Sequence, residues 1–280
     1  AGLSSDSSSS HRPRKVFEVN AIGTLNLLEA VRRYCPQTRL FHASTAQLFE
    51  GSRATPQNED TPFCPLSAYG VSKLAAHQQV VMYREKFGLS CTNGILFNHE
   101  SPRRSGAFVT RKICDWASSY ARDKDTPTLL LGNLDAVRDF GHARDFARAM
   151  WLILTPEESG RSGPPDTPLE DYVVGTGCST SVRELVERAL FSIGEKIEWR
   201  REGELQISLG GCEHLVSEEA GYDGQGRKIV SVSPAFWRPA ALNEVRADAS
   251  RIRRNLGWEP SVGLDELLKE MIFATPQADA

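Results

Sequence analysis

The chain has 280 residues, 40% of them hydrophobic and 25% charged, an ordinary globular composition that allows one large or two smaller domains with a real core. A formal net charge of −3 argues against general binding to nucleic acid or to an anionic membrane, and the longest apolar runs, such as 149–154, are far too short to span a bilayer. Six cysteines (Cys35, Cys64, Cys91, Cys114, Cys178, Cys212) without a C-x-x-C pair, and six histidines without ligand spacing, predict reduced, mostly buried thiols in a cytoplasmic protein and no metal.

Residues 4–10 form a Ser-rich, low-complexity patch expected to be mobile. From Val16 to Arg33, the residues Val19, Ile22, Leu25, Leu28 and Val31 recur at helical spacing and predict an amphipathic helix. Thr38 to Thr45 reads as a short strand, Tyr69 to Lys86 as a helix, and Ser90 to Phe97 as a buried strand. Phe108 to Tyr120 predicts a helix, Leu129 to Gly132 a short extended piece, and Ala143 to Leu154 another helix. Thr155 to Thr167, with three prolines and two glycines, reads as a surface loop. Tyr172 to Gly177 predicts a strand, and Ser181 to Ile193 a helix opened by a capping box of Ser181 and Glu184. Glu202 to Lys228, Gly-rich and acidic, reads mainly as loop with some hairpin. Leu264 to Phe273 closes the order as a helix.

Chemistry concentrates at two places. Tyr69 and Lys73 are four apart and share one helical face, so the ammonium can lower the phenol's pKa for proton transfer with a sugar hydroxyl. Thr45, at the end of the preceding strand, can hydrogen-bond the same oxygen. The second place is Asn93 to Arg104, where an apolar strand ends in an amide, an imidazole, a carboxylate and two guanidinium groups. Ligands of parallel α/β proteins bind at the carboxyl ends of strands, and paired arginines suit phosphate oxygens. A solvated basic loop is the alternative reading.

Together with Thr61 to Phe63, Phe108 to Lys112, Leu131 to Asp135, Arg138 to His142, Arg238-Pro239 and Leu256 to Trp258, these segments resemble the extended short-chain dehydrogenase/reductase family. Within it they resemble the GDP-mannose 4,6-dehydratases, from about Ala1 to Ala274. The resemblance implies an α/β fold, a Rossmann-like doubly wound parallel sheet with a smaller C-terminal substrate domain. Residues 1–102 would be a remnant of the NADP-binding domain. Residues 103–280 would mainly bind GDP-sugar, with 139–177 returning to the sheet. No G-x-x-G-x-x-G turn is present, so the first half of the sheet is expected to be missing and the strand at Thr38 to Thr45 to sit at an open edge.

The resemblance further implies a reaction. NADP takes hydride from C4 of GDP-mannose, a carboxylate removes the C5 proton, water leaves from C6, and the hydride returns to C6. Tyr69 would be the base for C4 oxidation, Lys73 its electrostatic helper and a ribose ligand, and Thr45 the hydroxyl that polarises the C4 oxygen. Gln47 stands where the family has the C5 base, a Glu, and an amide has no oxygen basic enough for a carbon-bound proton. Lys73, His99 and Arg104 would contact the cofactor, although His99 also reads as a satisfied structural histidine. Asn98, Val109, Lys112, Arg138 and Arg238 would contact the substrate. Ala241 replaces a family Glu beside the nucleoside. A homo-oligomer, dimer or tetramer, is implied. Competing readings are a non-catalytic homologue that binds GDP-sugar or a full-length subunit, and an epimerase or reductase acting on another nucleotide sugar.

Overall fold

The computed structural model describes residues 2–3, 12–155, 157, 169–209, 212–237 and 244–274. The Ser-rich patch, the loop after Thr155 apart from residue 157, and Arg238, Pro239 and Ala241 lie outside the described residues. The chain divides into two units. The first is Ala1–His99 with Arg138–Ser179 and Asn243–Val262, and the second is Glu100–Val137 with Thr180–Leu242 and Gly263–Ala280. Residues 243–262, expected from the sequence to lie in the substrate region, group with the first hundred residues.

In the first unit, α1 (Pro13–Phe17), a π-helical turn (Glu18–Ile22) and α2 (Gly23–Tyr34) follow without a break. The expected apolar stripe is displaced: Val16, Asn20, Ala21 and Leu28 are buried, while Ile22 is exposed. A π turn adds a residue to the hydrogen-bonded ring and so rotates the succeeding turns away from a 3.6-residue period. Strand β1 (Leu40–Ala43) is shorter than expected, and a 3₁₀ turn (Ala46–Phe49) comes after it. Helix α3 (Ala68–Phe87) starts where the Ser67 hydroxyl accepts the Gly70 N–H, and ends at Gly88 with φ of +67°. A hydroxyl cap and a left-handed glycine are the usual start and stop signals.

Strand β2 (Cys91–Leu96) has all six residues buried, as a strand covered on both faces requires. It pairs parallel with β1 from Leu40 opposite Cys91 to Ala43 opposite Gly94. At Gly94 a Cβ would lie 2.4 Å from the Phe41 ring, so only glycine lets the two strands close. Beyond β2 come β3 (Asn98–Glu100), α4 (Val109–Arg122), β4 (Leu129–Leu131), β5 (Val137–His142) and α5 (Ala143–Leu154). Strand β6 (Tyr172–Val174) pairs parallel with the other side of β2, giving the order β1-β2-β6 with β1 at one end. The core of this unit gathers Phe49, Ile95, Phe97, Phe146, Val173 and Trp258.

The late segment joins that core through buried polar anchors. The Asp145 carboxylate, in the first turn of α5, accepts the Ser261 hydroxyl at 2.6 Å and the N–H groups of Ser261 at 2.8 Å and Val262 at 3.0 Å. The Trp258 indole donates to the Asp145 carbonyl. Gln57, fully buried, donates to the carbonyls of Ala54 and Glu244 and accepts the Arg246 N–H. Short β7 (Ser179–Ser181) leads onward in sequence.

In the second unit, α6 (Val182–Ser192) carries the capping box of Ser181 and Glu184. Its buried Leu185, Val186, Ala189 and Leu190 pack with Ile113, Ala117 and Tyr120 of α4 and with Leu267, Leu268 and Met271 of α8 (Leu264–Phe273). The short α7 (Ser250–Leu256) belongs to the first unit. The stretch read mainly as loop is corrected to a long antiparallel hairpin, β8 (Glu198–Leu209) with β9 (Cys212–Tyr222), continued by β10 (Lys228–Val232) and the parallel β4. Acidic residues conceal the strands in sequence, but many gain basic partners: Arg201 lies opposite Glu219, and Lys228 bonds Glu202 at 2.5 Å. Opposite charges across strands stabilise a ladder.

The cysteine expectation is also partly corrected. The five described thiols are unpaired, but Cys35, Cys64 and Cys178 are exposed, and only Cys91 and Cys114 are buried. Among the described residues, no group of three or more His, Cys, Asp or Glu is placed to hold a metal, and no helix is long and apolar enough to cross a membrane.

Candidate functional site

Strand β1 delivers Ala43, Ser44 and Thr45 to the start of α3. Thr45 is extended (φ −152°, ψ 146°) and caps the 3₁₀ turn, its Oγ1 accepting the Gln47 N–H at 3.3 Å. The hydroxyl hydrogen remains a donor for another oxygen. The Gln47 side chain turns towards α3, where its Oε1 accepts the Ser67 hydroxyl at 3.2 Å. Ser67 in turn accepts the Gly70 N–H at 3.0 Å. The helix cap and the residue at the base position are therefore one hydrogen-bonded assembly.

Tyr69 is buried in the first turn of α3, and Lys73 stands one turn later. The Lys73 ammonium donates to the Ala43 carbonyl at 2.9 Å, which fastens α3 to the end of β1. Burial pulls this ammonium below its ordinary value. Asn20 braces the same helix from the π turn: its Nδ2 donates to Ser72 Oγ at 3.1 Å and to the Leu3 carbonyl at 3.2 Å. Ser72 donates to the Tyr69 carbonyl at 2.7 Å. Leu3 returns its N–H to Asn20 Oδ1, and a Cβ on Gly2 would stand 3.7 Å from Lys73 Nζ. The 3₁₀ turn that carries Thr45 and Gln47 is thus tied to the first turns of α3, which carry Tyr69 and Lys73, by the Gln47–Ser67 and Lys73–Ala43 hydrogen bonds.

Beneath them runs a buried polar network that sequence reasoning missed. The Ser44 hydroxyl meets His77 Nδ1 at 3.2 Å, and His77 Nε2 faces Asp171 Oδ2 at 3.7 Å. Asp171 takes two bonds from the Arg84 guanidinium, at 2.7 and 3.1 Å, and the N–H of Asn93 at 2.8 Å. Burial pushes the Asp171 carboxyl up, but Arg84 and the Asn93 N–H outweigh it and leave the group below its usual range. His42 Nδ1 bonds Asn93 Oδ1 at 2.8 Å. Only His77 had a local signal, lying four residues after Lys73 on the same face of α3.

The other sequence candidates are distributed. Asn98 and His99 come just after β2 in the first unit; the His99 ring bonds the Phe97 carbonyl through Nδ1 at 2.8 Å and stacks on Phe146 at 4.9 Å. Arg138, also in the first unit, is half-buried on β5 and bridged in parallel register to Val245. Its neighbour Asp139 is fully buried and accepts four bonds, from the Thr176 N–H and hydroxyl, the Gly177 N–H and the Ala247 N–H.

Arg104, Val109 and Lys112 belong to the second unit. Arg104 pairs with the buried Glu100 at 3.0 Å and lies 3.4 Å from the Phe108 ring centroid, while Thr110 donates to Glu100 at 2.7 Å. Burial pushes the Glu100 carboxyl up against those two partners. Val109 opens α4. Lys112 donates to the Leu130 carbonyl at 2.6 Å and sits over the Phe236 ring at 3.5 Å, with its ammonium lowered by burial.

With this geometry in place, known proteins can be set beside the chain. Residues 1–271 match the family described as GDP-mannose 4,6 dehydratase. The GDP-mannose 4,6-dehydratase of Sinorhizobium fredii (strain HH103) is 41% identical over 263 residues, covering 93% of this chain and 68% of that protein. GDP-mannose 4,6 dehydratase 2 of Caenorhabditis elegans is 39% identical, covering 93% and 62%, and the Homo sapiens protein is 40% identical, covering 92% and 63%. The chain therefore spans 62–68% of the length of these three relatives. RMD from Pseudomonas aeruginosa, solved with NADPH, has a TM-score of 0.73 at 20% identity, covering 97% of this chain and 78% of that one. DesIV, a dTDP-glucose 4,6-dehydratase from Streptomyces venezuelae solved with NAD, has a TM-score of 0.72 at 21% identity, covering 97% and 70%. At such identity these two structures speak to the fold alone.

Proposed function

The chain belongs to the GDP-mannose 4,6-dehydratase family, and from that premise we propose that it handles GDP-mannose at the cluster of Thr45, Tyr69 and Lys73, with the elimination step impaired by Gln47. The observation that supports this reading is the fastening of α3, which carries Tyr69 and Lys73, to the end of β1 beside Thr45 by the Lys73–Ala43 hydrogen bond. The donor set suits the ribose hydroxyls of a nicotinamide nucleotide: Lys73 commits one N–H to Ala43 and stands beside a residue, Gly2, that carries no side chain. We take NADP as that nucleotide, and when bound it supplies the hydride acceptor.

The chain's own residues do the rest. Tyr69 is assigned as the base that takes the proton of the C4 hydroxyl. Thr45 donates its hydroxyl hydrogen to the C4 oxygen. Gln47 holds the base position but cannot accept the C5 proton, because its amide oxygen is not basic and already accepts from Ser67. Asn98, Arg138 and Arg238 are assigned to the nucleotide sugar together with Val109 and Lys112, and His99 and Arg104 to the cofactor. A homo-oligomer in the cytoplasm completes the proposal; exposed Leu27 and Tyr34 on α2 support the former.

The test is incubation with GDP-mannose and NADP, with mass spectrometry of the nucleotide sugar. A product lighter by one water, abolished by Tyr69→Phe, is expected at a low rate. Its absence, with no binding of either ligand, overturns the reading. A second reading, a binder of GDP-sugar without turnover, is favoured by the hydrogen bond that ties Gln47 into the helix cap. Binding of GDP-mannose without NADP-dependent product would select it.

A further inference from the structure

Strand β3 ends on Glu100, and the residues that follow bring two groups back to its carboxylate. That carboxylate is 1% exposed; its Oε2 forms an ion pair with Arg104 Nε at 3.0 Å and accepts the Thr110 hydroxyl at 2.7 Å. The connecting loop is braced by its own backbone. The Arg104 N–H donates to the Ser101 carbonyl at 2.9 Å, the Phe108 N–H to the Ser105 carbonyl at 3.1 Å, and the Arg111 guanidinium to the Pro102 carbonyl at 2.9 Å. Arg104 is therefore held at its Nε end, which is buried, and over the Phe108 ring, 3.4 Å from Cζ to the centroid. The outer end differs. Neither Nη hydrogen-bonds a described residue or is closed off from solvent, which leaves four N–H groups on one planar fork. The basic neighbours on α4 are engaged: Arg111 pairs with Asp115 at 2.7 Å, and Lys112 donates to the Leu130 carbonyl at 2.6 Å.

We propose that Glu100 is a positioning residue for Arg104: it holds the Nε edge of the guanidinium so that both Nη groups stand out as a fork for a phosphate group. Two parallel N–H donors match two phosphate oxygens, and a fork already held in place binds them without first losing its rotamer freedom. That the phosphate belongs to NADP rests on the assignment of Arg104 above; the coupling of Glu100 to Arg104 does not. The role also has a sign that separates it from plain electrostatics. A carboxylate beside an anion site repels the anion, so its removal by itself tightens anion binding. Loss of a positioning group loosens it.

Arginine side-chain NMR of the whole chain, titrated with inorganic phosphate at constant ionic strength, tests it without turnover. The Nη resonances of Arg104 should move with phosphate in the wild type; resonances that stay still overturn the proposal in the unmodified protein. Glu100→Asp keeps the charge but draws the carboxylate back by one methylene, so phosphate affinity at Arg104 should fall about two- to tenfold, the cost of ordering one long side chain. An unchanged affinity overturns it. As a second variant, Glu100→Gln removes the charge, and tighter phosphate binding there would assign Glu100 an electrostatic role only and also overturn it. A parallel titration with NADP separates the two proposals. If phosphate moves Arg104 and NADP does not, the cofactor assignment fails and the coupling stands. If NADP moves Arg104 with equal affinity in wild type and Glu100→Asp, the coupling fails alone.

Discussion

Replacing Asp171 with alanine removes the partner of three groups at once. Its carboxylate binds Arg84 at 2.7 and 3.1 Å, both side chains being about one-sixth exposed or less, and it accepts the N–H of Asn93 within β2. Breaking a buried ion pair from one side costs about 3–5 kcal/mol, because the remaining charge is stranded. An orphaned N–H inside a sheet costs about 1–3 kcal/mol more. The effects share one side chain and are not additive, so the expected loss is about 4–5 kcal/mol, comparable with the whole stability of a marginal domain. Asp171→Asn keeps one acceptor, for the Asn93 N–H, but loses the charge and sets an NH2 against the Arg84 and Asn93 donors that Oδ2 accepts, so a smaller but still large loss is expected. Urea unfolding followed by tryptophan fluorescence measures both, with the slope required to stay constant. The sign with pH is fixed as well. The folded carboxyl sits below its usual range, so its stabilisation is present above the unfolded value and is lost as pH falls through the folded one. An alanine variant within about 1 kcal/mol of wild type would refute the claim that this network holds β2 against α3.

Gln47→Glu, assayed with GDP-mannose and NADP, should raise dehydration about 10²–10⁴-fold, and an unchanged rate would show that the missing base is not what limits elimination. His42 should make folding sensitive to mild acid. Between the ordinary histidine value and about 4, only the unfolded chain takes the proton, so stability falls through that window and levels off below it. The expected loss is about 3 kcal/mol in urea titrations across those pH values, and His42→Gln should flatten it. Thiol labelling with a disulfide reagent near pH 8 should modify Cys35, Cys64 and Cys178. Cys91 and Cys114, pushed up to about 11 and 12, should react only after unfolding, and fast labelling of either would contradict the burial described.

What the sequence disclosed depends on the range of the interaction involved. Helix α3 was legible in outline because the Tyr69–Lys73 pair is local, and β2 because its run of residues reads as a buried strand, while the Ser67 cap and the Gly88 stop came only with the structure. The long hairpin was not. Its glutamates and glycines argue against strand residue by residue, and the favourable partners, such as Glu219 for Arg201, lie on the other strand. The network of Ser44, His77 and Asp171 spans 127 residues and exists only once β1, α3 and the start of β6 are neighbours. The roles of Arg104 and Lys112 were inferred from resemblance. Their ties to Glu100 and to the Leu130 carbonyl required coordinates.

The anchoring of residues 258–262 on Asp145 carries a consequence for how the first unit is completed. The first unit is assembled from three separated stretches, and the last of them supplies the indole and the N–H groups that the Asp145 backbone and carboxylate were waiting for. Without residues 258–262 that aspartate would lose the three side-chain bonds and the indole it holds in the fold. The core around Phe146 is therefore closed only by a stretch that follows the rest of the first unit in sequence, and shortening the chain before Trp258 should leave that core uncovered.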